Sequence, residues 1–319
     1  MLSFIPRALL ATALTTACLG TAAAQTLTFG SNPQGSVGYA ISAAIGSAAG
    51  DRGMRSRVVP QGGPEVILPG LNRGSFDLTV TPSIPTLLGH QGKAMFNGKP
   101  LEELRVVAVL FPLTVGFTVK NDSDIHSISD LRGKRVASSF PRQRPLLMMS
   151  RATLATVGMT LEDIEEVSVP DGTRGLDELA SGGIDAAIYS VNAGRVAQTH
   201  ASVRGGIRFI PVENSGEAEK IMQGITPSSY IETVQPNSAT PWIVEPTPML
   251  SSSMLLVTNS QVSDETVRAL LETLVEDADD IAATHGAFRA FNVDGMYRDF
   301  GAPYHPAALA FFRERGLID

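Results

Sequence analysis

Arg142 and Arg144 stand two residues apart, immediately before Pro145. A guanidinium fork can grip a carboxylate through two hydrogen bonds, and a helix opening at Pro145 would aim its free N–H groups at the same anion. On an extended chain we expect the two arginines to point to opposite sides, one serving a cleft and the other solvated. The competing reading is two surface arginines. Ser139, just before this loop, joins the candidate set. A second loop, Ser31 to Ser36, falls between a short strand and a helix start, where backbone N–H groups and the helix dipole favour an anion. Ser31, Asn32, Ser36 and Tyr39 are therefore binding candidates, against the plainer reading of a turn that uses Asn, Pro and Gly for geometry.

Further polar groups follow strands. Gln61, Gly62 and Gly63 come after the second strand, and Thr81 and Ser83 end the third; Tyr189, Ser190 and Asn192 hold the matching place in the second half. In open α/β sheets, ligands sit beyond the carboxyl ends of strands. Arg174 lies at another strand-to-helix turn, where a capping or surface role competes, and Trp242 could roof a cleft or simply pack. Other chemistries lack support. His90, His126, His200, His285 and His305 show no metal-ligand spacing, and Asn121 to Asp124 lacks the Gly and distal Glu of a calcium loop. The acids from Glu162 to Glu166 read as a solvated face. Dinucleotide and Lys-containing phosphate loops are absent from the sequence. We expect no cofactor, no metal and no enzymatic activity.

The elements that position these groups come as a repeated pattern. Leu71 to Asp77, with Gly74, runs into an apolar strand ending at Ser83, and Leu179 to Asp185, with Gly182, runs into one ending at Ser190. Each reads as a helix end, a glycine stop and a strand covered on both faces. Around them the pattern alternates strand and helix from Thr26 onward, which predicts a parallel sheet. Leu104 to Leu110 and Gly116 to Val119 read as two strands broken at Pro112, where the chain is expected to cross between lobes. A strand over Ser253 to Thr258 follows. The stretch from Glu213 to Met249 is expected to carry the return. One helix is predicted from Ser263 through Ile281, and a final one after Pro306.

Composition and the amino terminus set the context. Arg7, an apolar run from Ala8 to Leu19 and Ala22-Ala23-Ala24 read as a signal peptide over residues 1–24, cleaved after Ala24. A periplasmic location is the expectation, with a lipoprotein attached through Cys18 as the minor alternative. Cys18 is the single cysteine, so cleavage would leave no thiol. The net charge of -7 speaks against a nucleic-acid partner. The length left after cleavage suits two lobes, and we expect a monomer.

Leu131-Arg-Gly-Lys-Arg-Val136, Gly158-Met-Thr160, Gly183-Ile-Asp-Ala186 and Pro303-Tyr-His-Pro306 before Phe311-Phe-Arg-Glu-Arg-Gly316 resemble, in that order, the TAXI branch of TRAP-transporter solute receptors. The resemblance spans almost all of the chain after the leader. It implies an α/β, two-lobed periplasmic binding protein type II fold, a Venus-flytrap with a ligand cleft between lobes. Lobe 1 would comprise residues 25–112 plus about 240–319, and lobe 2 about 113–239. It also implies capture of a small organic acid or amino acid, which we expect to be anionic, and delivery to TRAP membrane permease subunits. The loops at Gln61 to Gly63 and at Thr81 and Ser83 match cleft-facing positions of that family. Two loops depart from it: Gly38 stands where the family has the first of two tyrosines before Tyr39, and Pro141-Arg-Gln-Arg-Pro145 replaces a small glycine loop. Receptors of ABC importers, a sensor for a membrane kinase and an exported enzyme using Arg174, Glu178 and Tyr189 are the alternatives.

Overall fold

The computed structural model describes residues 26–299 and 301–319; the expected leader and Cys18 lie outside the described residues. The first unit comprises β1 (Leu27–Ser31), α1 (Val37–Asp51), β2 (Ser56–Pro60), α2 (Pro64–Asn72) and β3 (Leu78–Pro82). β1 lies between β2 and β3 and pairs with both in parallel. The glycine stop predicted at Gly74 has φ +72, a left-handed conformation that costs a non-glycine residue roughly 1–2 kcal/mol. Asp77 then turns back, and its carboxylate accepts the N–H of Thr28 at 2.7 Å, fastening the start of β3 to β1.

α3 (Ser83–His90) follows directly. The sequence hides it, because every residue from Ser83 to Gly89 is buried and no polar face marks a helical period. β4 (Leu104–Lys120) is one continuous strand, not the two runs expected around Pro112. Its partner ladder is irregular next to that proline, between Met254 and Leu255. On the other edge pairing with the next neighbour begins only at Val115. The missing N–H thus falls where pairing is already interrupted.

The second unit repeats the first. It runs through β5 (Arg135–Ser139), α4 (Arg144–Ala155), β6 (Glu165–Val169), α5 (Gly172–Ser181) and β7 (Ala187–Ser190). β5 pairs in parallel with β6, and Val136 bridges in parallel to Ala186 at the mouth of β7. Gly182 closes α5 at φ 84. Asp185 accepts the N–H of Arg135 at 2.9 Å, just as Asp77 accepts that of Thr28. The duplicated Gly–Asp pattern is therefore a strand-fastening device used twice.

α6 (Gly194–Ser202), β8 (Ile207–Phe209), α7 (Gly216–Ile225) and β9 (Tyr230–Val234) complete this half. β10 (Thr247–Asn259) returns, and α8 (Asp264–Glu276), α9 (Ala278–Thr284) and α10 (Pro306–Glu314) close the chain. The helix expected to run from Ser263 through Ile281 is two helices. Asp277 leaves helical geometry at φ -109, ψ 21, and its carboxylate takes the Arg52 guanidinium at 2.5 and 2.9 Å.

The strands form an eight-stranded sheet in the order β2-β1-β3-β10-β4-β7, with β8 on β4 and β9 on β10, while β5 and β6 make a separate pair. The sheet is mixed, not parallel as the alternation predicts. β4 and β10 are the reason. The chain leaves the first unit along β4 and comes back along β10, so the two long strands lie antiparallel to each other, and β10 also to β3 and β4 to β7. β3 thus flanks one long strand and β7 the other.

Candidate functional site

A cavity of about 60 Å3 lies between the two units. Its floor is Leu113 and Val115 of β4 with Met254 of β10. The first unit contributes Asn32, Ser36, Val37, Gly38, Pro64 and Pro82. The second contributes Gln143, Pro145, Leu146, Met149, Tyr189 and Ser190. The amino ends of α1, α2 and α4 meet here, because each helix begins just beyond a strand that ends at the cavity. Ser36 caps α1 by accepting the N–H of Tyr39 at 3.2 Å, while its hydroxyl donates to the carbonyl of Pro33 at 2.7 Å.

Asn32, Ser36, Tyr189 and Ser190 are thus the sequence-derived candidates that the fold brings to the cavity. The Tyr189 hydroxyl lies 3.3 Å from the Thr173 hydroxyl. Burial pushes the phenol pKa up, and hydrogen bonds from Thr173 and Gln143 oppose this only in part.

The expected arginine anchor is not found in this lining. Arg142 and Arg144 are both exposed, and Gln143 between them is buried and lines the cavity. The reasoning that sent the arginines to opposite sides has the extended-chain period reversed: alternate positions share a face, and the residue between them takes the other. Gln143 accepts the N–H of Gly172, the first residue of α5, at 2.9 Å. Arg142 donates its own backbone N–H to the Pro170 carbonyl at 3.0 Å, so two backbone-directed bonds hold this loop. Ser139 is exposed at φ +74, and Phe140 beside it has φ +40 with its ring fully buried.

Other candidates lie around the cavity without lining it. Ser31 and Thr81 are buried with hydroxyls lacking a hydrogen-bond partner. Ser83 meets the hydroxyl of Ser228 at 3.0 Å, joining α3 to the turn before β9. Tyr39 accepts from Gln34 at 3.2 Å. Arg174 pairs with Asp177 at 2.7 Å, a carboxylate that also takes Arg195, and Asn192 is exposed. Trp242 packs: it is buried, donates to the Val191 carbonyl at 3.0 Å and lies against His200.

Gln61 to Gly63 have a different place. A Cβ added at Gly63 would stand 2.5 Å from the carbonyl oxygen of Arg142, and one at Gly62 would stand 3.6 Å away. The glycine loop of the first unit and the arginine loop of the second therefore meet at the rim. Glu65 reinforces that meeting. Its carboxylate is buried, and burial raises its pKa; its own N–H, the backbone N–H of Arg144 and the Arg144 guanidinium pull the pKa back without offsetting burial. Sequence reasoning passes over Glu65, because an acid in a first helical turn already has an explanation in the helix dipole. The apolar lining is equally silent in sequence, since Leu146, Met149 and Met254 look like any core residue.

Two parallel βαβ units bridged by antiparallel long strands, with a cavity between them, define an α/β protein of the type II periplasmic binding protein fold. The model of the NMT1-like family matches residues 29–316, and the chain belongs to that family. Among solved structures, a protein of Bordetella bronchiseptica RB50 aligns with a TM-score of 0.51 at 18% identity, over 90% of this chain and 88% of that one. A Listeria monocytogenes protein with the provisional name L-cystine ABC transporter gives 0.50 at 14% identity, over 86% and 98%. The periplasmic aliphatic sulphonate binding protein SsuA from Escherichia coli gives 0.48 at 16% identity, over 92% and 94%. At such identities the likeness concerns the fold.

Proposed function

We propose that this chain is an extracytoplasmic solute-binding receptor that closes two lobes around a small organic acid or amino acid and delivers it to a membrane permease. The observation that carries the reading is the cavity itself, walled by one repeated unit on each side and floored by the strands that join them. Such a site works by binding and hinge closure, with no bond chemistry. In this reading one lobe comprises residues up to 112 and from about 240 onward, and the other about 113–239, with β10 running through both. The protein acts in the periplasm after loss of its leader.

We assign the partner to a TRAP permease of the TAXI type. The support is the ordered set of motifs from Leu131 to Gly316. No helix among the described residues is long and apolar enough to cross a membrane, and transport in this reading requires a separate membrane component. A thermal-shift screen over amino acids, monocarboxylates, dicarboxylates, oxo acids, sulfonates and sugars tests the receptor reading, because a ligand of the folded form raises Tm by mass action. No shift with any member refutes it. Uptake into proteoliposomes tests the partner: dependence on an ion gradient supports the TRAP assignment, and dependence on ATP supports an ABC importer instead.

A further inference from the structure

Size, polarity and charge of the cavity together restrict what it can hold. A water needs about 10–15 Å3 of such volume, so a cavity of about 60 Å3 admits roughly four to six non-hydrogen atoms. Most of its surface is apolar, supplied chiefly by Leu113, Leu146, Met149, Met254 and three prolines. The polar groups are the neutral side chains of Asn32, Ser36, Gln143, Tyr189 and Ser190. No Asp, Glu, Lys or Arg side chain belongs to the lining. A buried charge without a partner is costly.

An amino acid would bring an ammonium group with no carboxylate to meet it. A dicarboxylate would bring two negative charges. The helix ends supply room for one at most. At α4 the Glu65 carboxylate already stands beside the Arg144 N–H. At α1, the N–H groups of Val37 and Gly38 belong to the first helical turn, which has no intrahelical acceptors, and both residues line the cavity beside Asn32. The Ser36 hydroxyl is spent on its cap and cannot fill that place.

Resting on the receptor reading above, we infer that the cleft takes a short aliphatic monocarboxylate, its carboxylate at the amino end of α1 between Asn32 and Gly38. Its alkyl chain lies against Leu146, Met149 and Met254. The class consists of acids of about three to four carbons, without an amino group or a second acid.

A matched panel tests this on the intact exported protein by isothermal titration calorimetry. Butyrate is the reference; L-2-aminobutyrate adds only an ammonium, succinate only a second carboxylate, and butyramide removes the charge. The expected result is butyrate binding, with affinity at least tenfold weaker for each of the other three. Equal or tighter binding of any of them overturns the inference. If sugars, amino acids or other solutes raise Tm in the broad screen while butyrate does not bind, the inference fails and the receptor reading stands. If no solute of any class raises Tm, the receptor reading itself falls.

Discussion

Replacing Gly63 by Ala should weaken solute binding while leaving the fold in place. Gly63 has φ -155, extended backbone that alanine adopts freely, so the substitution acts through space. Its new Cβ would lie 2.5 Å from the Arg142 carbonyl oxygen, whereas ordinary contact is 3.4–4 Å. The two rims must therefore separate by roughly 0.9 Å, a shift imposed where the units meet across the cavity mouth. Overpacking of this kind costs about 1–3 kcal/mol, which converts to roughly 5- to 150-fold weaker binding if closure and binding are coupled. Loss of a glycine N-cap adds a separate cost of up to about 1 kcal/mol to folding, visible in the ligand-free Tm. Calorimetric titration with butyrate separates the two effects. Gly194→Ala is the control, because a Cβ there meets nothing within 4 Å. Gly63→Ala affinity within twofold of wild type would show that the rim contact does not contribute to closure.

Three further outcomes are expected. Glu65 has a raised pKa in the folded protein, so its contribution to stability is full below the usual carboxylate range and is lost as pH rises through its raised value. Thermal unfolding across mildly acidic pH should show this loss in wild type and not in Glu65→Gln; parallel profiles would contradict it. Asp77→Ala leaves the Thr28 N–H without its partner and should cost about 1–3 kcal/mol in denaturant unfolding, with Asp185→Ala behaving alike at Arg135. Arg142→Ala and Arg144→Ala, both at exposed positions outside the cavity lining, should each leave butyrate affinity unchanged; a tenfold loss in either would return an arginine to the ligand.

Legibility followed from how local each signal is. The helix stops at Gly74 and Gly182 and the cap at Ser36 depend on neighbouring residues alone, and all three stand where the sequence puts them. The family motifs have the same character. Gly133 and Gly158 are left-handed turns. His305 caps α10 by accepting the Ala307 N–H, with its other ring nitrogen on the Val262 carbonyl. These residues build the scaffold and do not touch the solute cavity. α3 and the continuity of β4 through Pro112 were hidden, because complete burial erases periodicity and because only the partner strand tells where a ladder can lack an N–H.

The sequence by itself determined the α/β alternation, the duplicated Gly–Asp units and four of the polar residues that reach the cavity, since each depends on the few residues around it. Tertiary structure alone decided which faces meet. The antiparallel course of β4 and β10 opposes the two units, and burial of Gln143 turns Arg142 and Arg144 away. It also gathers residues as distant as Val37, Leu146 and Met254 into one apolar lining. The charge and size of what fits there are properties of that assembled space, which no single segment encodes.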